Sequence, residues 1–129
     1  MPPKSNQPSN LELQVLSVLW ENGASTVRDV LAALPDGKTR AYTTVLTVMQ
    51  NMEKKGLLTR SKEGSAHVYA PAESQRQTLK PMMQNLLRNV FGGRVSTVMQ
   101  HFLEETEVSE DEITEIRRLI DQRKNANSE

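Results

Sequence analysis

The spacing of apolar residues changes twice along this chain, and those changes limit the folds open to it. From Leu11 to Met52 apolar side chains recur at helical spacing in three bursts. From Leu57 to Ala70 that spacing is lost and two short strand-like runs replace it. From Glu73 onward the helical spacing returns. The first burst holds Leu11, Val15, Leu16, Val18 and Leu19. Ser9 and Glu12 have the spacing of a capping box, where each side chain satisfies the other's backbone N–H. Trp20 sits near the helix end, and Gly23 is a natural stop. Thr26 and Asp29 open a second, short helix with Val27, Val30, Leu31 and Leu34 on its apolar side, ended by Pro35-Asp36-Gly37. A third helix is expected from Tyr42 to Lys55. Val45, Val48, Met49 and Met52 fall at i, i+3, i+4 and i+7, which makes a buried stripe. Lys54 and Lys55 place positive charge at its negative end, before Gly56 stops it.

The strand-like runs are Leu57–Lys62 and Ala66–Ala70, with Glu63-Gly64 between them and Pro71 closing the second. Beyond them, a long helix is expected over Ser74–Phe91, with Pro81 either kinking or splitting it. Gly92-Gly93 breaks it. Val95, Val98, Met99, Phe102 and Leu103 mark the next helix, Arg94–Glu105. Ser109 with Glu112 caps the last, which carries Ile113, Ile116, Leu119 and Ile120 and ends near Arg123. Three helices followed by a hairpin is the order of a winged helix-turn-helix. The expected fold is therefore mostly α with a small β-hairpin wing, plus a C-terminal helical dimerisation module. The boundaries are a disordered leader at 1–8, the winged helix at 9–72, the module at 73–124 and a frayed tail at 125–129. A segment of about 50 residues buries its apolar faces poorly alone, and a dimer would cover them. Leu87, Phe91, Val98, Phe102, Ile116, Leu119 and Ile120 are the candidate interface residues.

Charge is distributed unevenly. The chain of 129 residues has 16 basic and 16 acidic side chains. Residues 1–80 carry a net +3 and residues 81–129 a net −3. From Lys38 to Lys62 there are six basic residues and one acid, a local net of +5. Cations on either side of an inserted helix, with a basic wing, suit DNA phosphates. A solvated charged surface is the plainer alternative. The candidate phosphate contacts are Lys38, Arg40, Tyr42, Lys54, Arg60 and Lys62. Opposite its apolar stripe the third helix presents Thr43, Thr47, Gln50, Asn51 and Lys54, without acids. Such a face can meet base edges in a major groove. Leu46, near its centre, would either touch a thymine methyl or belong partly to the core.

Other chemistry finds little support. Cysteine is absent, which excludes a disulfide framework, a thiolate metal site and a cysteine nucleophile. His67 and His101 lack partners at metal-ligand spacing, so no metal is expected. The acids from Glu104 to Glu112 are in part the dipole-matched start of the last helix. Met82, Met83 and Met99 fill a core or line an adaptable pocket. There is no phosphate-cradling glycine loop and no nucleophile elbow, so neither an enzyme nor a cofactor is expected. No run approaches the roughly 20 apolar residues of a membrane span, and the first ten residues lack a signal-peptide core. A cytoplasmic protein without membrane insertion is expected.

The run AYTTVLTVMQNMEKKGLL, the wing ending HVYAP, and FGGRVSTVMQHFLEETEVSEDEITEIRRLI together resemble the penicillinase-repressor family, also called the BlaI/MecI family. The resemblance covers about Asn10 to Asp121. It implies a homodimeric repressor on a palindromic double-stranded operator of a β-lactamase or related gene. It also implies relief by cleavage in the C-terminal module under a membrane sensor-protease pathway. Carried onto this chain, the operator-reading positions are Thr43, Thr44, Leu46 and Thr47, with Tyr42 opening the helix. Prominent members carry basic residues at the positions of Thr43 and Leu46. Their scissile Asn–Phe bond aligns with His101–Phe102. Copper-responsive relatives carry a cysteine motif that this chain lacks. Two alternatives stand beside this reading: a winged-helix regulator controlled by a directly bound small effector, and an interaction adaptor that no longer binds DNA.

Overall fold

The computed structural model describes residues 7–127, apart from the side chain of Lys38. Most of the leader expected at 1–8 thus lies outside the described residues. The chain divides into two units, Met1–Met83 and Gln84–Glu129.

The first unit begins with α1, Asn10–Asn22. Glu12 N–H donates to Ser9 Oγ at 3.2 Å and Ser9 N–H to Glu12 Oε1 at 2.9 Å, which closes the expected capping box. α2, Val27–Ala33, starts on a second box between Thr26 and Asp29. A single 3-10 turn, Gly37–Thr39, leads into α3, Tyr42–Lys54. Only glycine fits at the start of that turn, because a Cβ on Gly37 would lie 2.0 Å from the Leu31 carbonyl oxygen. The core gathers Val15, Leu16 and Leu19 from α1, Val27 and Val30 from α2, and Val45, Met49 and Met52 from α3. Val48 departs from the expected buried stripe, since it is only half-buried at the core edge.

The wing is an antiparallel hairpin of β1, Leu58–Glu63, and β2, Ala66–Pro71. Glu63 pairs with Ala66, so the connecting residues are Gly64-Ser65 and not the expected Glu63-Gly64. Gly64 at φ +62° takes the first position of a tight two-residue turn that needs positive φ there. Two further bonds extend the sheet at its root: Ser25 N–H to the Tyr69 carbonyl at 2.9 Å, and Tyr69 N–H to the Ser25 carbonyl at 2.8 Å. Leu58 and Tyr69 bury their side chains in the helical core. The expected winged helix is therefore the fold.

α4, Gln75–Val90, crosses the unit boundary as one helix with Pro81 inside it. It opens on a capping box that the sequence reading overlooked, Ser74 with Gln77. In the second unit, α5 covers Val95–Glu105 and α6 covers Glu110–Asn127. α6 continues past Arg123, where the last helix was expected to end. No glycine or proline interrupts that stretch, so backbone bonding carries on without an apolar stripe. No described residue of α4, α5 or α6 is buried. Among the described residues no helix is long and apolar enough to cross a membrane.

Candidate nucleic-acid interface

The helical period of α3 separates two chemistries. Val45, Met49 and Met52 face inward and are inaccessible to solvent. Thr43, Thr44, Thr47, Gln50, Asn51 and Lys54 are all exposed. Leu46 is half-buried and packs against the core. None of the exposed residues named on α3 is acidic, and three are threonines whose hydroxyls both donate and accept. The inward stripe fixes the helix, so these short side chains are presented from a rigid support.

The surrounding cations are arranged less simply than their sequence suggests. Arg40 Nη2 lies 2.7 Å from Asp36 Oδ2, and its Nε donates to the same oxygen at 2.8 Å. The Arg40 hydrogen bond holds the Asp36 carboxyl below its ordinary value, and the same bond raises Arg40. Arg60, on the wing, lies 3.6 Å from Glu53 Oε2 on α3. Lys55 Nζ lies 2.9 Å from Glu12 Oε2 on α1. Three cations of the strongly basic segment are thus paired with carboxylates, two of which, Asp36 and Glu12, stand outside it in sequence. Lys54 and Lys62 have no ion pair among the described residues. The side chain of Lys38 lies outside them.

Arg28 was missed from the sequence because it precedes the basic run. Its guanidinium lies 5.3 Å from the centre of the Tyr42 ring, at the start of α3. Tyr42 is exposed. At the other end of α3, an open groove of about 560 Å³ is lined by Ser9, Leu11, Glu12, Val48, Asn51, Lys54 and Lys55. Among the described residues no group of three or more His, Asp or Glu could hold a metal ion. His67 is exposed on β2. His101 is exposed on α5, and its ring meets Phe91 edge-on at 5.3 Å.

In the second unit, Phe102, Leu119 and Ile120 are largely exposed, whereas Leu87, Phe91, Val98 and Ile116 are half-buried. Leu86, Val90, Val95 and Leu103 are also exposed, and the sequence reading did not single them out as interface residues.

A three-helix core, an antiparallel wing, and a helix with an exposed face of uncharged polar residues flanked by cations define a winged-helix DNA-binding protein. The sequence profile of the penicillinase repressor family matches residues 8–122, and the chain belongs to that family. It is similar to a penicillinase repressor of Bacillus licheniformis, 28% identical over 126 residues and 98% of each chain. It is also similar to the transcriptional regulator BlaI of Mycobacterium tuberculosis, 33% identical over 91% of this chain and 85% of that one. Its fold is shared with a MarR family protein from Bacillus stearothermophilus, at a TM-score of 0.51 and 16% identity over 95% of this chain and 76% of that one. The chain is a DNA-binding transcriptional repressor of the BlaI/MecI type and not an enzyme.

Proposed function

We propose that the chain represses transcription as a homodimer on a palindromic operator of a β-lactam or cell-wall-stress gene, acting in the cytoplasm. The observation that carries this reading is the exposed, acid-free face of α3 set on a buried stripe. Thr43, Thr44, Leu46, Thr47, Gln50 and Asn51 read bases, with Leu46 offering only its exposed part. Lys38, Arg40, Tyr42, Lys54, Arg60 and Lys62 meet phosphates. Leu87, Phe91, Val98, Phe102, Ile116, Leu119 and Ile120 form the dimer contact. The absence of any buried residue from α4, α5 and α6 supports that contact, since it leaves those faces in need of cover. The test is a binding titration at several salt concentrations. Affinity for operator DNA is expected to fall steeply with salt, and Lys62→Gln to weaken all duplexes similarly. Equal affinity at low and high salt contradicts the reading.

We further propose relief by a membrane-sensor-linked protease at the His101–Phe102 bond. The bond lies inside α5, so the helix must open locally before cleavage. Cleavage separates Phe102, Leu103 and α6 from the rest and leaves α3 and the wing intact. A dimer joins two half-sites, and losing that linkage is expected to weaken operator binding roughly a hundredfold or more. A chain ending at His101 checks this. Undiminished affinity would favour the second reading, a directly bound small effector.

A further inference from the structure

We infer that Asp36 and Glu53 set the DNA specificity of this repressor by holding Arg40 and Arg60 in ion pairs that arbitrary DNA does not release. The inference rests on the proposed phosphate roles of those two arginines.

Both carboxylates sit on the DNA-binding unit outside its hydrophobic core, although Asp36 Oδ1 is enclosed and accepts no hydrogen bond among the described residues. Side-chain exposure is 41% for Asp36 and 30% for Arg40, and 32% for Glu53 and 40% for Arg60. Glu12 differs, since it is 6% exposed and closes the α1 cap, so its pair with Lys55 belongs to the fold. The two partly exposed pairs flank α3, one before its N-terminus and one reaching from it to the wing. In each, the guanidinium that would meet a phosphate already faces a carboxylate. Arg40 commits both Nε and Nη2 to one Asp36 oxygen.

A neutral pair presents little net charge to DNA, and counterion release counts net charge. Exchange of the carboxylate for a phosphate leaves an unpaired acid beside the duplex. On the operator, base contacts from α3 hold one register, so phosphates arrive at fixed positions where they can displace the carboxylates in charge-assisted bonds. On other DNA no register is held, and the arginines remain paired. Non-specific binding then falls to cations with no acid partner among the described residues, Lys54 and Lys62. Exposed ion pairs are weak enough for this exchange.

The experiment uses the full-length chain and its Asp36→Asn and Glu53→Gln variants. The probes are a duplex selected from a random library by the wild-type chain, and a shuffled duplex of the same composition. Each substitution is expected to raise affinity for the shuffled duplex about two- to fivefold, the range spanned by exposed pairs. It should also steepen the slope of log affinity against log salt by about 0.9. Affinity for the selected duplex should rise less. Adding Arg40→Gln to Asp36→Asn, or Arg60→Gln to Glu53→Gln, should abolish the gain. A gain that survives loss of the arginine overturns the inference, because the released guanidinium would then not be its source. Unchanged salt slopes in variants that fold, beside a wild-type chain that binds, overturn it as well. The two pairs are independent, so either variant decides if the other does not fold. A wild-type chain without salt-dependent DNA binding overturns the repressor reading itself, and this inference with it.

Discussion

Glu12 accepts hydrogen bonds from Ser9 N–H and Lys55 Nζ, both at 2.9 Å, while almost fully buried. Burial pushes its carboxyl up, but the Ser9 backbone bond and the Lys55 ammonium together pull it below the ordinary carboxylate range. A carboxyl whose value is lower folded than unfolded contributes stability above its unfolded value. That contribution is lost as pH falls through the lower, folded value. Glu12→Gln is therefore expected to cost about 1–2 kcal/mol near pH 7. Wild-type and variant stabilities should converge once acid has protonated Glu12. Urea midpoints at neutral and acid pH check this, and a constant gap across the range would assign the loss to packing. Half of this role was legible in the sequence. The Ser9–Glu12 box lies within one helical turn and follows a local rule. The Lys55 contact spans 43 residues, so only the packed fold brings it about. The same distinction explains why Arg28 on Tyr42 was missed.

α3 is the element whose two faces were most legible, because a helix with one buried stripe must expose whatever lies opposite. Thr47 and Asn51 stand on the exposed side, four residues apart and so adjacent on the helix surface. Thr47→Ala or Asn51→Ala is expected to cost about 1–3 kcal/mol on the best operator and little on random DNA. Equal losses on both would make them backbone contacts only. The hairpin shows where local pattern ran out. Its two strands were expected, yet the turn sits one residue later, because cross-strand pairing of Glu63 with Ala66 decides the register. The Ser25–Tyr69 bridge had no signature, since Ser25 is one of only two residues between a glycine stop and a cap.

At the scale of the molecule, the first unit has a buried core and the second unit's helices have none. The amphipathic periods of α5 and α6 were plain in the sequence, but a period shows which face is apolar and not what covers it. On the dimer proposal, Phe102→Asp puts a charge where a partner's apolar surface should lie, at a cost of several kcal/mol. Sedimentation is expected to show monomers for this variant at concentrations where the wild-type chain is dimeric. A variant that remains dimeric would place the interface away from Phe102.

Helices without an interior of their own also affect how the repressor responds to its supply in the cell. If two copies complete each other, the competent species follows mass action. Below the dissociation constant, halving the number of chains cuts the pairs about fourfold. Dilution as a cell grows, or weak expression of the repressor gene, would then loosen control of the target more than in proportion. Such a regulator is sensitive to dosage by construction, and few chains need be removed before the promoter opens.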